Sequence, residues 1–285
     1  QAQVYFCPPG LFATDGEWDF AHWGQRQKPL FLEAGAEFMA QYGRIPADKL
    51  EPFWAGMRVR ALARIAGRAT NAPAVLRKTH KGEVETIAMQ RPYLGYFAME
   101  EFELRLRKFN GEMSGPMRRA VFASGDAVTV LPYDAVHDSV LLVVQFRPGP
   151  FARQDPNPWC LEAIAGRMDA DESPEATARR EAVEEAGLVL GEMERMFGYY
   201  TSPGAVAEYI TGFVAQADLG KAGGSFGLEA EQEDIRALVV PFKAAHATIA
   251  SGEANNAPLL LSLQWLAANR ARLRRLWAGE QGSVA

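Results

Sequence analysis

The chain has 285 residues, of which 48% are apolar and 23% charged, as expected for a globular protein long enough to bury a core. Its formal net charge of −5 argues against a general nucleic-acid binder, because phosphate contacts need a basic surface. No apolar run approaches the ~18 residues of a membrane span, and no signal peptide is visible. We therefore expect a cytoplasmic protein, without membrane partners, whose two cysteines stay reduced.

The first 84 residues are predicted to form a mainly helical region, which we interpret as the remnant of a second domain. The segment PLFLEAGAEFMAQYG predicts an amphipathic helix with an apolar stripe of Leu32, Ala36, Met39 and Ala40 and a stop at Gly43. LEPFWAGMRVRALARIAGRA predicts a second helix with basic and apolar faces. TNAPAVLRKTHKG is predicted to be a linker, which divides the chain into residues 1–84 and 85–285.

The second part of the chain shows the pattern of strands. FAMEEFELRLRKF alternates apolar and polar residues, and Asn110-Gly111 behind it is a strong hairpin signal. MRRAVFASGDAVTVLPYD and DSVLLVVQFRPG predict two more strands, the second of them central because residues 140–144 are all apolar. FVAQADL and IRALVVPF predict further strands, and APLLLSLQWLAANRARLRRLWA predicts a long C-terminal helix. This combination indicates an α+β fold.

An acidic helix is predicted between Ser173 and Gly187. Ser can cap a helix, Pro174 fits the first helical position, and Gly is a natural C-terminal stop. Three alanines at every fourth position form a narrow seam for close packing: Ala178, Ala182 and Ala186.

Three glutamates of this helix, Glu181, Glu184 and Glu185, share neighbouring faces. A like-charge pair at i, i+4 costs roughly 0.2–0.5 kcal/mol, which Arg180 offsets in part. Most acidic helices are solvated surfaces, and that remains the alternative interpretation. Clustered carboxylates are also hard ligands suited to Mg²⁺, which would relieve the repulsion and bridge a diphosphate.

The stretch GRMDADESPEATARREAVEEAGL resembles the Nudix box, G-x5-E-x7-R-E-U-x-E-E-x-G-U, in which U is aliphatic. The fixed positions are matched by Gly166, Glu172, Arg180, Glu181, Glu184, Glu185 and Gly187, and the aliphatic ones by Ala182 and Leu188. The resemblance implies a hydrolase of diphosphates linked to another moiety. It also implies an α/β/α sandwich with a mixed sheet, in which the box forms loop, helix and loop.

Residues 91–277 are similar to bacterial ADP-ribose pyrophosphatases, of which a related branch carries a tellurite-resistance label. The similarity lies in KFNGEMSGPMRRAVFASGDAVTVLPYD, QFRPGP, WCLEAIAGRMD, YYTSPGAVAE, LEAEQEDIR and LLLSLQWL. The most discriminating parts are Ser202-Pro203-Gly204 and the segment EAEQEDIR. One departure is AVAE after Gly204, where many relatives have a second Gly and hydroxyl residues, and it affects the expected ribose contacts.

The resemblance implies a metal site built on the box. Glu181 and Glu185 would be the main ligands to Mg²⁺, or to Mn²⁺ as the alternative, helped by the Ala165 carbonyl. Glu184 would be a further or water-mediated ligand, and Arg180 would hold the glutamates in place.

The resemblance also implies a catalytic group in the loop EAEQEDIR. Glu231 is the favoured residue to orient or deprotonate the attacking water, and Glu233 would touch metal. Glu184 and Arg180 complete the catalytic set. A solvated loop is the alternative interpretation of the two loop glutamates.

Six residues are implied in substrate binding: Tyr96, Arg119, Arg147, Glu162, Gly204 and Glu208. Tyr96 would stack on adenine, Arg147 would contact the diphosphate or terminal ribose, and Arg119 the diphosphate or adenosine. The glutamates would hydrogen-bond ribose or neighbouring side chains. Edge packing of Tyr96 and ordinary strand-end charges remain the alternatives.

The expected reaction is Mg²⁺-dependent hydrolysis of ADP-ribose to AMP and ribose 5-phosphate. One alternative is hydrolysis of another nucleoside diphosphate derivative: GDP-mannose, ADP-glucose or NADH. A non-catalytic ADP-ribose-binding module is the other, disfavoured because every box glutamate is present. Similar enzymes are homodimers, so residues 91–125 are expected to cross to a partner subunit.

Overall fold

The computed structural model describes residues 21, 23–24, 27–70, 83–227 and 232–278. Its helices are α1 (Lys28–Met39), α2 (Ala47–Leu50), α3 (Trp54–Ala69), α4 (Pro148–Ala152), α5 (Pro174–Ala186), α6 (Phe242–Ser251) and α7 (Ala257–Trp277). A 3-10 turn, Glu51–Phe53, leads into α3. The strands are β1 (Val84–Leu94), β2 (Ala98–Leu106), β3 (Met117–Ala123), β4 (Ala127–Asp134), β5 (Ser139–Phe146), β6 (Trp159–Glu162), β7 (Ile164–Arg167), β8 (Met193–Tyr200), β9 (Val206–Ala207), β10 (Tyr209–Gln216), β11 (Gly224–Phe226) and β12 (Ile235–Pro241).

The strands form two sheets. The smaller sheet has the order β1-β2-β3-β9, and the larger has the order β11-β12-β5-β4-β10-β8, with β6 added to β5 and β7 to β4. Most neighbours are antiparallel. The parallel pairs are β3 with β9 in the smaller sheet and β4 with β10 in the larger, where the pairing runs from Ala127 beside Ile210 to Tyr133 beside Gln216. The larger sheet is therefore mixed, and its β5 is an interior strand, as its apolar run predicts.

Helices cover both faces of the larger sheet. On one face, the alanine seam of α5 packs on residues such as Val128 and Val130 of β4. On the other face, α6 and α7 pack on residues such as Leu131 and Leu142. This arrangement confirms the predicted α+β fold with an α/β/α sandwich and a mixed sheet.

A third core lies among the N-terminal helices, and it contradicts the predicted apolar stripe of α1. Leu32 and Met39 are 58% and 60% exposed, whereas Leu30, Ala34 and Glu37 are buried. The buried face is thus the opposite one. The prediction was wrong because it excluded a glutamate from the core, although Glu37 is buried against Arg60 of α3.

The segment MRRAVFASGDAVTVLPYD is two strands rather than the single strand predicted. It breaks at Gly125, whose φ is +103°, so that β3 belongs to the smaller sheet and β4 to the larger. A Cβ atom at Gly125 would lie 2.4 Å from a methyl group of Val59. Glycine therefore permits both the left-handed backbone and the close approach of α3.

The remaining predictions of elements have mixed outcomes. The acidic helix, the C-terminal helix and the turn at Gly111 are confirmed. The elements that were not foreseen are α2, α4, α6, β1, β6, β7, β8, β9 and β11. Residues 71–82 of the predicted linker lie outside the described residues, and the boundary near residue 85 stays a prediction.

Cys160 is a buried free thiol, and Cys7 lies outside the described residues. No described helix has the length and apolar character needed to cross a membrane.

Candidate active site

The acidic helix α5 is held by the caps that its sequence predicts. The hydroxyl oxygen of Ser173 accepts a hydrogen bond from the Ala176 N–H at 3.2 Å, and Gly187 ends the helix with φ of +61°. The alanine seam is fully buried, which allows the helix backbone to approach the sheet closely. The glutamates of α5 consequently lie beside β7.

Gly166 of β7 makes room for Glu181. A Cβ atom at this position would stand 1.8 Å from the carboxylate oxygen Oε1 of Glu181, far inside van der Waals contact. The first glycine of the box is therefore required because the Glu181 carboxylate lies across its backbone.

Arg180 ties the acidic groups of the box together. Its guanidinium donates to Glu172 at 2.9 Å, to Glu181 at 2.7 Å and to Glu184 at 2.8 Å. It also donates to the carbonyl oxygen of Arg167 at 3.1 Å. The sequence predicted the i, i+4 pair of Arg180 and Glu184. The hydrogen bonds of Arg180 fix the carboxylates of Glu172, Glu181 and Glu184 relative to one another.

Glu185 lies deeper than its neighbours and is only 3% exposed. Its carboxylate accepts hydrogen bonds from the Ala165 N–H at 3.2 Å and from the Gln145 amide at 3.3 Å. Burial and the nearby Glu181 carboxylate raise the pKa of Glu185 to about 8. Burial likewise raises the pKa of Glu181 to about 7, although Arg180 favours its ionised form.

These two pKa values predict that metal binding strengthens as the pH rises. Below pH 7 a divalent cation must displace protons from Glu181 and Glu185, whereas above pH 8 both carboxylates are already ionised. We expect the dissociation constant for Mg²⁺ to fall by up to about 100-fold per pH unit below pH 7, where two protons are displaced, by up to about tenfold between pH 7 and 8, where one is displaced, and then to level off. Isothermal titration calorimetry in buffers of different ionisation enthalpy would measure both affinity and proton release. A constant affinity without proton release would contradict the prediction.

The donor set fits a hard divalent cation. Glu185 is buried and forms no direct ion pair with a described lysine or arginine, and the cation that favours its ionised form is the more distant Arg147. The Ala165 backbone lies directly beside it. In the described part of the chain, no three histidine, cysteine or acidic side chains already converge as a complete metal-binding group. Carboxylate oxygens of Glu181 and Glu184 accept hydrogen bonds from the Arg180 guanidinium.

The glutamates line a cleft with a volume of about 710 Å³. Arg147 of the cleft donates to Glu162 at 2.8 Å, and Ser124 donates to Glu208 at 3.1 Å. Ten of the predicted site residues line this one cleft: Tyr96, Arg147, Glu162, Ala165, Arg180, Glu181, Glu184, Glu185, Glu208 and Glu233.

Three predicted site residues are not placed in the cleft. Arg119 is exposed on β3, where it donates to the carbonyl oxygen of Arg118. Gly204 is exposed in the turn between β8 and β9. Glu231 lies outside the described residues, although Glu233 follows it closely. Gly227, on the other side of that loop, would place a Cβ atom 2.6 Å from the Glu233 carbonyl oxygen, so the two ends of the loop meet.

Comparison with known proteins identifies the family. A model of the NUDIX domain matches residues 123–263. An ADP-ribose pyrophosphatase of Escherichia coli (strain K12) is 38% identical over 198 residues, which span 70% of this chain and 94% of that protein. The chain belongs to the NUDIX family. An ADP-ribose pyrophosphatase of Haemophilus influenzae is 34% identical over 197 residues, 68% of this chain and 91% of that one. A GDP-mannose pyrophosphatase of Enterobacter sp. (strain 638) is 36% identical over 172 residues, which span 60% of this chain and 88% of that protein.

Beside the glutamates of the NUDIX box lie two residues that sequence reasoning missed. Gln145 contacts Glu185 from β5, and a polar residue in an apolar strand was the available signal. Arg167 stacks on the Tyr96 ring at 4.3 Å and on the Phe97 ring at 5.5 Å. It directly follows Gly166, at a position that the NUDIX box leaves free, so the box gave no sign of it.

Proposed function

We propose that this NUDIX hydrolase hydrolyses ADP-ribose to AMP and ribose 5-phosphate with a bound divalent metal ion, for which Mg²⁺ is the first candidate. The observation that carries the proposal is the shared cleft of the box glutamates and Arg147. The names of the relatives from Escherichia coli and Haemophilus influenzae support ADP-ribose as the substrate.

Glu181, Glu185 and the Ala165 carbonyl would hold the metal, with Glu184 and Glu233 as further ligands. A divalent ion there supplies positive charge for the diphosphate and lowers the pKa of a water molecule. Arg180 is a positioning residue, since its hydrogen bonds fix Glu181 and Glu184.

The other residues of the cleft have roles that follow from charge and position. Arg147 offers its guanidinium to the diphosphate, while Glu162 holds that guanidinium in place at 2.8 Å. Glu231 or Glu233 accepts the proton of the attacking water. Glu208 hydrogen-bonds the ribose, and Tyr96 stacks on the base.

A chromatographic assay with and without Mg²⁺ tests the substrate. We expect metal-dependent release of AMP from ADP-ribose, faster than turnover of GDP-mannose, ADP-glucose or NADH. Faster turnover of GDP-mannose would favour the activity named for the Enterobacter relative. Tight binding of ADP-ribose without any hydrolysis would instead favour a non-catalytic binding module.

We also propose a cytoplasmic homodimer in which residues 91–125 contact the partner and carry Arg119 towards its cleft. The edge strand β1 supports this, because Val84, Ile87 and Met89 expose apolar side chains there. A reduced Cys160 is consistent with the cytoplasm. We also propose that residues 1–84 and residues 85–285 are two domains, an N-terminal helical region and a hydrolase domain, which pack against each other.

A further inference from the structure

The N-terminal helical region reaches the active site. One side of the cleft that contains the box glutamates is formed by the 3-10 turn and the first two turns of α3. The lining residues of this segment, which we name the α3 wall, are Pro52, Phe53, Ala55, Gly56 and Val59.

Several contacts hold the α3 wall against the hydrolase domain. Val59 packs on Gly125, between the two sheets. Arg58 forms an ion pair with Asp171, within the box, at 2.6 Å. Arg60 donates to the carbonyl oxygen of Tyr96 at 3.4 Å, so α3 also contacts the loop that carries the stacked Tyr96.

The two sides of the cleft differ in chemistry. The box glutamates and Arg147 suit a metal ion and a diphosphate. The α3 wall offers only apolar side chains, and next to it lie the rings of Tyr96 and Phe97 with the Arg167 guanidinium stacked on both. A sugar would leave its hydroxyl groups without partners against such a wall, whereas a planar base is accommodated by apolar and aromatic surfaces.

We propose that the α3 wall forms one side of the nucleoside-binding half of the active site, so that the N-terminal helical region selects the nucleoside of the substrate. This inference rests on the proposed function, since it assumes a nucleoside diphosphate derivative in the cleft. The match to the Escherichia coli relative spans 94% of that protein but 70% of this chain. This chain therefore has additional residues with which to shape its specificity.

The test is an Ala55→Glu substitution in the full-length protein. Ala55 is an exposed helical residue, so a glutamate there should leave folding intact while it projects into the cleft. We expect the dissociation constant for AMP, measured by calorimetry with Mg²⁺ present, to rise at least about tenfold through the added charge and bulk. The dissociation constant for ribose 5-phosphate should stay within about twofold. In turnover, KM should rise and kcat should change little.

Two further variants make the test specific. Ala69→Glu places the same charge on an exposed residue at the far end of α3, outside the cleft lining, and should bind AMP as the wild type does. Ala55→Gln adds bulk without charge and should also weaken AMP binding. Equal weakening of AMP and ribose 5-phosphate, or unchanged AMP binding in both Ala55 variants, would overturn the inference.

The same measurements separate this inference from the proposed function. If the wild type binds a nucleoside monophosphate and Ala55→Glu weakens that binding, the inference holds even when ADP-ribose is not hydrolysed. Wild-type protein that binds neither AMP nor GMP would overturn it, whatever diphosphate the enzyme cleaves.

Discussion

Replacement of Glu185 by Gln is expected to lower kcat/KM for the preferred diphosphate by at least about 100-fold, because Glu185 is proposed as a metal ligand and a ligand should matter no less than the groups that orient it. Folding should hardly change. At neutral pH the raised pKa of about 8 leaves Glu185 largely protonated in the metal-free protein, and Gln has the shape and neutrality of that acid. Its amide oxygen can still accept the Ala165 N–H. Steady-state kinetics and thermal denaturation, each with and without Mg²⁺, would measure the two effects.

Glu175→Gln is the matched control for this experiment. Glu175 lies in the first turn of the same helix, is exposed and is absent from the cleft lining. This variant should retain wild-type activity and metal affinity. Full activity in Glu185→Gln would remove Glu185 from the metal site, and equal losses in both variants would point to a general effect of the helix charge.

Replacement of Glu37 by Ala is expected to destabilise the N-terminal helical region by roughly 3–5 kcal/mol. The side chains of Glu37 and Arg60 are 0% and 1% exposed, and their ion pair spans 2.6 Å. Glu37 also pairs with Arg64 at 2.8 Å and lies near Arg91 of β1. The substitution leaves Arg60 buried without its partner, which costs more than the ion pair itself contributes. Urea denaturation followed by circular dichroism and tryptophan fluorescence would measure the loss.

Glu33→Ala provides the comparison, since Glu33 lies one turn earlier on α1 and pairs with Arg64 and Arg68. Its side chain is 26% exposed, so water can replace those contacts, and the expected loss is at most about 1 kcal/mol. Equal urea midpoints for Glu37→Ala and Glu33→Ala would contradict the prediction, because loss of the buried Glu37–Arg60 ion pair would then lower the free energy of unfolding no more than loss of a partly exposed one.

The hydrolase fold was largely predictable because its strongest signals are local. Ser173, Pro174 and Gly187 mark both ends of α5, and residues 140–144 mark an interior strand. The sandwich itself came from resemblance to a family rather than from these patterns. The break at Gly125 was missed because the apolar residues on its two sides read as one continuous strand, while a neighbouring helix determines where the strand ends.

That the box glutamates come together was predictable in the same way, because they lie within one short motif. The position of the α3 wall could not be predicted from the sequence, because PFWAGMRV has the pattern of an ordinary amphipathic helix. Only the tertiary packing of Val59 on Gly125 turns this segment towards the cleft. Glu37 was misjudged for the same reason. Its burial depends on Arg60, which is far away in sequence and on a different helix.

The parallel pairing of β4 with β10 has a consequence for how the protein acquires its activity during synthesis. The whole box, with its helix α5, lies in the chain between these two strands. Because such a pairing closes a long loop, it is slow to form and cannot begin before the second strand exists. A nascent chain that ends before residue 209 has every box glutamate but no β10 beside β4. The ribosome must therefore deliver most of the hydrolase domain before the box glutamates can reach their final geometry.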